Sequence, residues 1–251
     1  VISQSLYNTY NFENNFKKTL LIFYKKRILR IAPAIIFLTL ITLIIFKLIF
    51  IEKHYLSLIK SVLFTNIFFS NFHFWNESGY FGLDSTFKPL LHTWSLSVEM
   101  QAYLFLPLIL FFLFKFKNIY LLSITILISI ISIFFGEYFI SRPFVFFFPF
   151  FRIHEFLVGC LIFYFSRFFT KKKLNYFYSY LGILIIVICS TYYNENTNFP
   201  GLNSLLPLFG AALIILSEDK KNFLLNNKIS QFFGNISYSF YLYHWIIIVA
   251  L

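Results

Sequence analysis

Pro89-Leu90-Leu91-His92-Thr93-Trp94-Ser95-Leu96-Ser97-Val98-Glu99 opens a hydrophobic run that continues through Phe114. As a helix rising about 1.5 Å per residue, that run is long enough to cross a bilayer. A carboxylate and an imidazole nevertheless stand at its mouth. An acidic side chain at mid-helix costs roughly 2.5–3.5 kcal/mol on insertion. With a helix start near His92, His92 and Glu99 fall seven residues apart, two turns up one face. Trp94 and Ser95 lie between them, and Tyr103 is one turn beyond Glu99. The plainer reading is an interfacial Trp and His, with Glu99 neutralised by a neighbouring helix. The cost of burying charge favours a working site. The fold class that follows is an all-α, polytopic transmembrane helix bundle.

The rest of the chain agrees. Its 251 residues are 59% hydrophobic and 24% aromatic, and only 12% are charged, about half the roughly 25% usual in soluble domains. Cys160 and Cys189 each sit inside an apolar run, which argues against a disulfide framework or a thiolate metal site. No metal-ligand spacing and no phosphate-cradling glycine loop occurs, so no metal is expected. Both ends fall in apolar sequence, and Val1–Leu251 reads as a single membrane-embedded domain, incomplete at both ends, of a longer protein.

Spans are expected at Ile31–Ile51, Trp94–Phe114, Ile119–Ile140, Phe144–Phe169, Tyr176–Tyr193 and Phe232–Leu251, with a marginal one at Leu205–Leu216. The segment 56–74 is interrupted by polar residues and reads as a short helix lying at or dipping into the surface. Alternating the other spans puts 1–30, 115–117, 167–173 and 218–228 on one side, and these carry 15 of the 21 Lys and Arg. An excess of that size marks the cytoplasmic side. The loops 76–88 and 194–201 are then external.

Several charges stand out on that layout. Arg27 and Arg30 are three apart and Lys26 and Arg30 four apart, neighbours on one helix face. They read either as a bidentate phosphate clamp or as an ordinary cytoplasmic anchor. Arg152 and Glu155 share a face at three apart, either pairing with each other or binding substrate, and Gly159 on that face offers close approach to a neighbouring helix. Ser237, Tyr241 and His244 share a face of the last helix, where a packing histidine in an aromatic belt is the plainer reading. The basic clamp thus faces the cytoplasm, while Glu99, His92, Arg152 and Glu155 gather near the outer face. A transporter would show the same two-sided arrangement.

Taken together, five stretches resemble the acyltransferase-3 family of integral-membrane O-acyltransferases. They are Phe23 through Pro33, Ser78-Gly79-Tyr80-Phe81, Lys88 through Glu99 with Gln101 and Tyr103, Arg152 through Gly159, and Gly234 through Trp245. The resemblance implies transfer of an acyl group, usually acetyl, from cytoplasmic acyl-coenzyme A across a bacterial inner membrane. The acceptor it implies is a sugar hydroxyl, of the lipopolysaccharide or exopolysaccharide kind. Acetyl-coenzyme A is then a co-substrate, with no permanently bound cofactor, and nucleic acid is not an implied partner. An SGNH-hydrolase-like domain often follows the membrane part in such relatives. The resemblance further implies that Arg27, Arg30 and Lys26 hold coenzyme A, and that Trp94, Arg152, Glu155, Tyr241 and His244 bind or shape the acceptor site. Glu99, with His92, belongs to the catalytic group. The main base it implies is a histidine on a helix ahead of Val1, without which Val1–Leu251 is expected to be inactive. A flippase for a lipid-linked sugar and a non-catalytic membrane scaffold remain the rival classes.

Overall fold

The computed structural model describes residues 2–13, 15–78, 84–116, 119–168, 174–194, 197–217 and 222–251. Gly79-Tyr80-Phe81, the run Lys171-Lys172-Lys173 and residues 218–221 of the basic loop lie outside them. The helices are α1 (Ile2–Glu13), α2 (Phe16–Ile49), α3 (Glu52–Asn66), α4 (Ser70–Asn76), α5 (Thr93–Phe116) and α6 (Ile119–Tyr138). They continue with α7 (Pro143–Phe147), α8 (Ile153–Phe168), α9 (Phe177–Tyr192), α10 (Leu205–Leu216), α11 (Phe223–Asn226) and α12 (Lys228–Ala250). The fold is an all-α membrane bundle. Among the described residues, Phe16–Ile49, Thr93–Phe112 and Pro149–Ser166 are long and apolar enough to cross a bilayer, and shorter apolar helices join them.

Three departures from the expected spans have local causes. The helix expected from Ile31 begins at Phe16, where the Asn15 side chain accepts from the Lys17 and Lys18 amides and so caps the first turn. Pro33 is carried inside it. The basic residues Lys25 to Arg30 therefore belong to the same helix as the apolar stretch. The expected span 144–169 is broken: α7 ends at Phe147, and a 3-10 turn covers Pro149–Arg152 before α8. Pro149 cannot donate an amide to the preceding turn, which ends the helix there. The segment 56–74 is two helices rather than one, α3 and α4 meeting at Phe68, whose φ of 58° is left-handed. α3, at 15 residues, is about 22 Å long and too short to span.

The chain packs as two compact units interleaved along the sequence. One comprises Val1–Gln4, Leu106–Phe146 and Phe150–Asn235. In it α9 and α10 approach backbone to backbone. A Cβ built on Gly182 would lie 2.5 Å from the Gly210 carbonyl oxygen, and one on Gly210 would lie 2.9 Å from that of Gly182. Small residues at such a crossing let membrane helices gain dispersion contacts that lipid cannot replace. His154, fully buried, ties α6 to the turn before α10 through Ser132 (3.0 Å) and Ser204 (2.8 Å). Gly159 does not do what its place in the sequence suggests, since a Cβ there would meet nothing within 4 Å. Gly182→Ala is therefore expected to destabilise the protein by about 1–3 kcal/mol through overpacking. Gly159→Ala is expected to be neutral or slightly stabilising, because alanine is the better helix former. Thermal unfolding in detergent measures both; equal effects would contradict the α9–α10 contact.

The other unit comprises Ser5–Phe105, Phe147–Pro149 and Ile236–Leu251. Buried hydroxyls bind α3, α4 and the first turn of α5 together: Thr65 to Thr93 (3.1 Å), Thr93 to Ser70 (3.1 Å) and Ser70 to Ser97 (2.7 Å). Gln101 donates to the carbonyl of left-handed Phe68 (2.9 Å) and exchanges hydrogen bonds with the Asn71 amide. Asn71 in turn donates to the Phe147 carbonyl (3.1 Å). These bonds fix the rotation of α5 and hence where Glu99 points.

Candidate active site

The described α5 starts at Thr93, so His92 sits in the turn ahead of the helix rather than on its face. The Leu91 amide closes a turn on the Lys88 carbonyl (3.0 Å), and Thr93 Oγ1 closes the next on the Leu90 carbonyl (2.7 Å). Trp245 anchors the same turn by donating to the Lys88 carbonyl (2.9 Å). Lys88 itself is buried, donating to the Glu77 carbonyl (3.0 Å), and burial holds its ammonium below the ordinary lysine value. His92 faces α12: its Nε2 meets the Leu242 carbonyl at 3.1 Å. A carbonyl only accepts, so Nε2 carries the proton.

From this fixed start, Ser95 and Glu99 project one turn apart on α5. With Leu96, Arg30 from α2, and Ser237, Tyr238 and Tyr241 from α12, they line a cavity of about 360 Å³. The Tyr103 hydroxyl, one further turn along, donates to Glu99 Oε1 in a short hydrogen bond. Arg27 lies over the Tyr103 ring at 5.2 Å and over Phe23 at 5.5 Å, while Arg30 lies over Tyr238 at 5.9 Å. Tyr24 donates to the Leu104 carbonyl (3.2 Å). Tyr24 to Arg30 on α2 thus run antiparallel to Leu104 to Glu99 on α5.

That pairing corrects the two-sided layout. Leu104 lies eight residues short of Phe112, the end of the α5 span, so about 12 Å of helix separates it from that end. Arg27 and Arg30 accordingly stand beside the interior of α5 rather than at its C-terminal end, and Arg30 shares a cavity with Glu99. The reason is that α2 is one long helix whose basic turns continue straight into its apolar ones. Neither arginine forms an ion pair within 4.0 Å among the described residues. The Tyr238 hydroxyl, on the cavity wall, is buried without a hydrogen-bond partner, as is His92 Nδ1. An orphaned buried polar atom costs about 1–3 kcal/mol, a cost that sites for polar ligands carry.

A cavity bearing a carboxylate, a guanidinium and the hydroxyls of two serines and two tyrosines can bind a carbonyl and move a proton. A family model described as an acyltransferase domain matches residues 3–251. The chain belongs to the acyltransferase-3 family. Membership makes it an O-acyltransferase domain of a membrane protein. An uncharacterized protein of Haemophilus influenzae is 34% identical over 214 residues, across 80% of this chain and 87% of that protein. The O-acetyltransferase OatA of Staphylococcus aureus is 28% identical across 93% of this chain. The chain spans 42% of OatA's length. No solved structure matches it.

The acyltransferase brings some of the residues expected from sequence together and separates others. Glu99, Arg30 and Tyr241 share the cavity. Lys26 is exposed and does not line it. Trp94 packs edge-on against Phe147 at 5.7 Å, and it too is absent from the lining. His244 bonds its own Tyr241 carbonyl (2.7 Å) and lies 5.5 Å from the His92 ring, outside the lining. Arg152 and Glu155 belong to the other unit. There Arg152 pairs with Glu155 (3.3 Å), donates to the Phe146 carbonyl (3.1 Å) freed where α7 breaks off, and lies over the Phe146 and Phe199 rings. The residues not anticipated are Ser95 and Tyr238 in the cavity and Tyr103 as the partner of Glu99. Ser95 was recoverable from its four-residue spacing to Glu99. Tyr238 carried no signal among so many tyrosines.

Proposed function

We propose that this acyltransferase takes an acyl group, acetyl, from acyl-coenzyme A on the cytoplasmic side of a bacterial inner membrane. It transfers the group to a hydroxyl of a lipid-linked or surface-polysaccharide sugar. The observation that carries this reading is the meeting of Arg30 and Glu99 in one cavity between α2, α5 and α12. A cation there holds the acyl carbonyl or the adjoining anionic carrier, and a carboxylate held by Tyr103 accepts a proton from the incoming hydroxyl. Tyr238 and Tyr241 supply hydroxyls on the opposite wall, and His92 supports the Tyr241 hydroxyl through its backbone carbonyl. That OatA is an O-acetyltransferase supports the choice of acetyl.

Membrane vesicles bearing the full-length protein test the donor and its side. Acetyl-labelled coenzyme A is expected to label membrane glycan in everted vesicles and not in sealed right-side-out ones. Labelling only in right-side-out vesicles would reverse the orientation drawn from the 15-of-21 charge asymmetry. Glycan accumulating across the membrane without label would make the protein a transporter.

A further inference from the structure

Within the cavity, Ser95 is placed as a nucleophile. We propose that Ser95 carries the acyl group as an oxygen ester between donor and acceptor, an inference that rests on the acyl-transfer reading above. Ser95 and Tyr241 form a hydroxyl pair over the His92 carbonyl. The Tyr241 hydroxyl donates to the His92 carbonyl. The Ser95 hydroxyl lies 2.6 Å from the Tyr241 oxygen, and either can be the donor of that pair. The Ser95 hydroxyl also reaches the His92 carbonyl at 3.4 Å, to which it can only donate. Tyr241 is the one described hydroxyl paired with Ser95 Oγ, which keeps at least one lone pair open on the wall of the cavity.

The groups a serine nucleophile needs stand beside it. Glu99 lies one turn along the same helix face and lines the same cavity. Tyr103 occupies only Oε1 of Glu99, and Oε2 accepts no hydrogen bond among the described residues. The four-residue spacing puts that free carboxylate oxygen within reach of the serine proton on rotation of the side chains. Arg30, contributed by α2, keeps its guanidinium donors free of any protein acceptor among the described residues and serves the developing oxyanion. The cavity of about 360 Å³ falls in the range that holds small ligands, room for the acyl thioester end of a donor.

The reaction then has two balanced halves. Ser95 Oγ attacks the thioester carbonyl, the carbon–sulfur bond breaks, and the serine proton passes through Glu99 to the departing thiolate, giving free coenzyme A thiol and acyl-Ser95. In the second half an acceptor hydroxyl attacks that ester and the carbon–Oγ bond breaks. Glu99 takes the hydroxyl proton and returns it to Ser95 Oγ. No oxidant, metal or further co-reactant is consumed. A hydroxyl confined to packing would need no carboxylate one turn away and no unspent guanidinium across the cavity.

The experiment uses full-length protein in membranes, incubated with acetyl-labelled coenzyme A, quenched in acid and digested. Peptide mass spectrometry is expected to find acetyl on Ser95, released by alkaline hydroxylamine. Ser95→Ala should lose the label and lower transfer by roughly 10³-fold or more, the scale on which nucleophile removal acts. Ser95→Cys guards against a misfolded alanine variant: the label should persist but become a thioester, released by hydroxylamine at neutral pH. If wild type acetylates its acceptor while Ser95 stays unlabelled and Ser95→Ala transfers as wild type does, acyl passes directly and the ester intermediate is overturned. If wild type neither releases thiol nor acetylates anything, the acyl-transfer reading fails, and the intermediate falls with it.

Discussion

Glu99→Gln in the full-length protein is expected to lower acetyl transfer by about four orders of magnitude, the cost of neutralising the carboxylate partner in a serine-protease triad. Insertion and donor binding should survive, because the amide keeps the shape of the side chain and its oxygen still accepts from Tyr103. On the proposed reading, what is lost is the proton acceptor for Ser95 and for the acceptor hydroxyl. The opposite expectation attaches to a carboxylate that merely sits in the bundle. Gln would then be mild or stabilising, since it removes a desolvation penalty. Acetylation of the surface polysaccharide, compared at equal levels of membrane protein, separates the two. Near-wild-type acetylation with glutamine at this position would remove the carboxylate from the chemistry and leave the cavity a binding site only. Tyr103→Phe provides a graded companion. It frees Glu99 Oε1 without touching its charge, so its effect should be far smaller than that of Gln.

Hydropathy exposed most of the architecture because a membrane helix must satisfy its backbone internally and cover itself with apolar side chains. Trp94–Phe114 and Leu205–Leu216 were therefore legible almost to the residue, appearing as Thr93–Phe116 and Leu205–Leu216. The breaks were not, since they rest on single residues in otherwise apolar sequence. Pro149 stops one helix, and Phe68 turns another through a left-handed conformation held by Gln101. Glu99 was legible because an unexcused charge is rare at that depth. Its surroundings were harder to see. The pairing of Tyr24–Arg30 with Leu104–Glu99 is a tertiary register, and no spacing within either segment encodes it. Charge counting located Arg27 and Arg30 by the rule for loops, though both lie inside a helix that continues across. Arg152 and Glu155 showed the reverse case, for their three-residue spacing became a real ion pair, the cheapest way to keep both charges buried.

The two arginines, equivalent in sequence, are expected to fail differently when replaced by lysine. Arg30 lines the cavity and has its donors free, so Arg30→Lys should weaken donor affinity by roughly ten- to a hundredfold. That corresponds to losing a charge-assisted hydrogen bond of about 1.5–3 kcal/mol, because an ammonium lacks the guanidinium fork. Arg27 instead lies over Phe23 and Tyr103. Stacking of this kind contributes about 0.5–2 kcal/mol, and here it holds the ring whose hydroxyl binds Glu99. Arg27→Lys should therefore leave donor affinity close to wild type and lower kcat, by disturbing the carboxylate rather than the ligand. Equilibrium binding of a non-transferable acetyl-coenzyme A analogue, set against steady-state kinetics of the same two variants, distinguishes the roles. Equal losses of affinity would mean that the guanidiniums grip one phosphate group together, as their spacing on the helix first suggests. The cavity would then be entered by the acceptor alone, and the donor's reactive end would have to reach Glu99 from elsewhere.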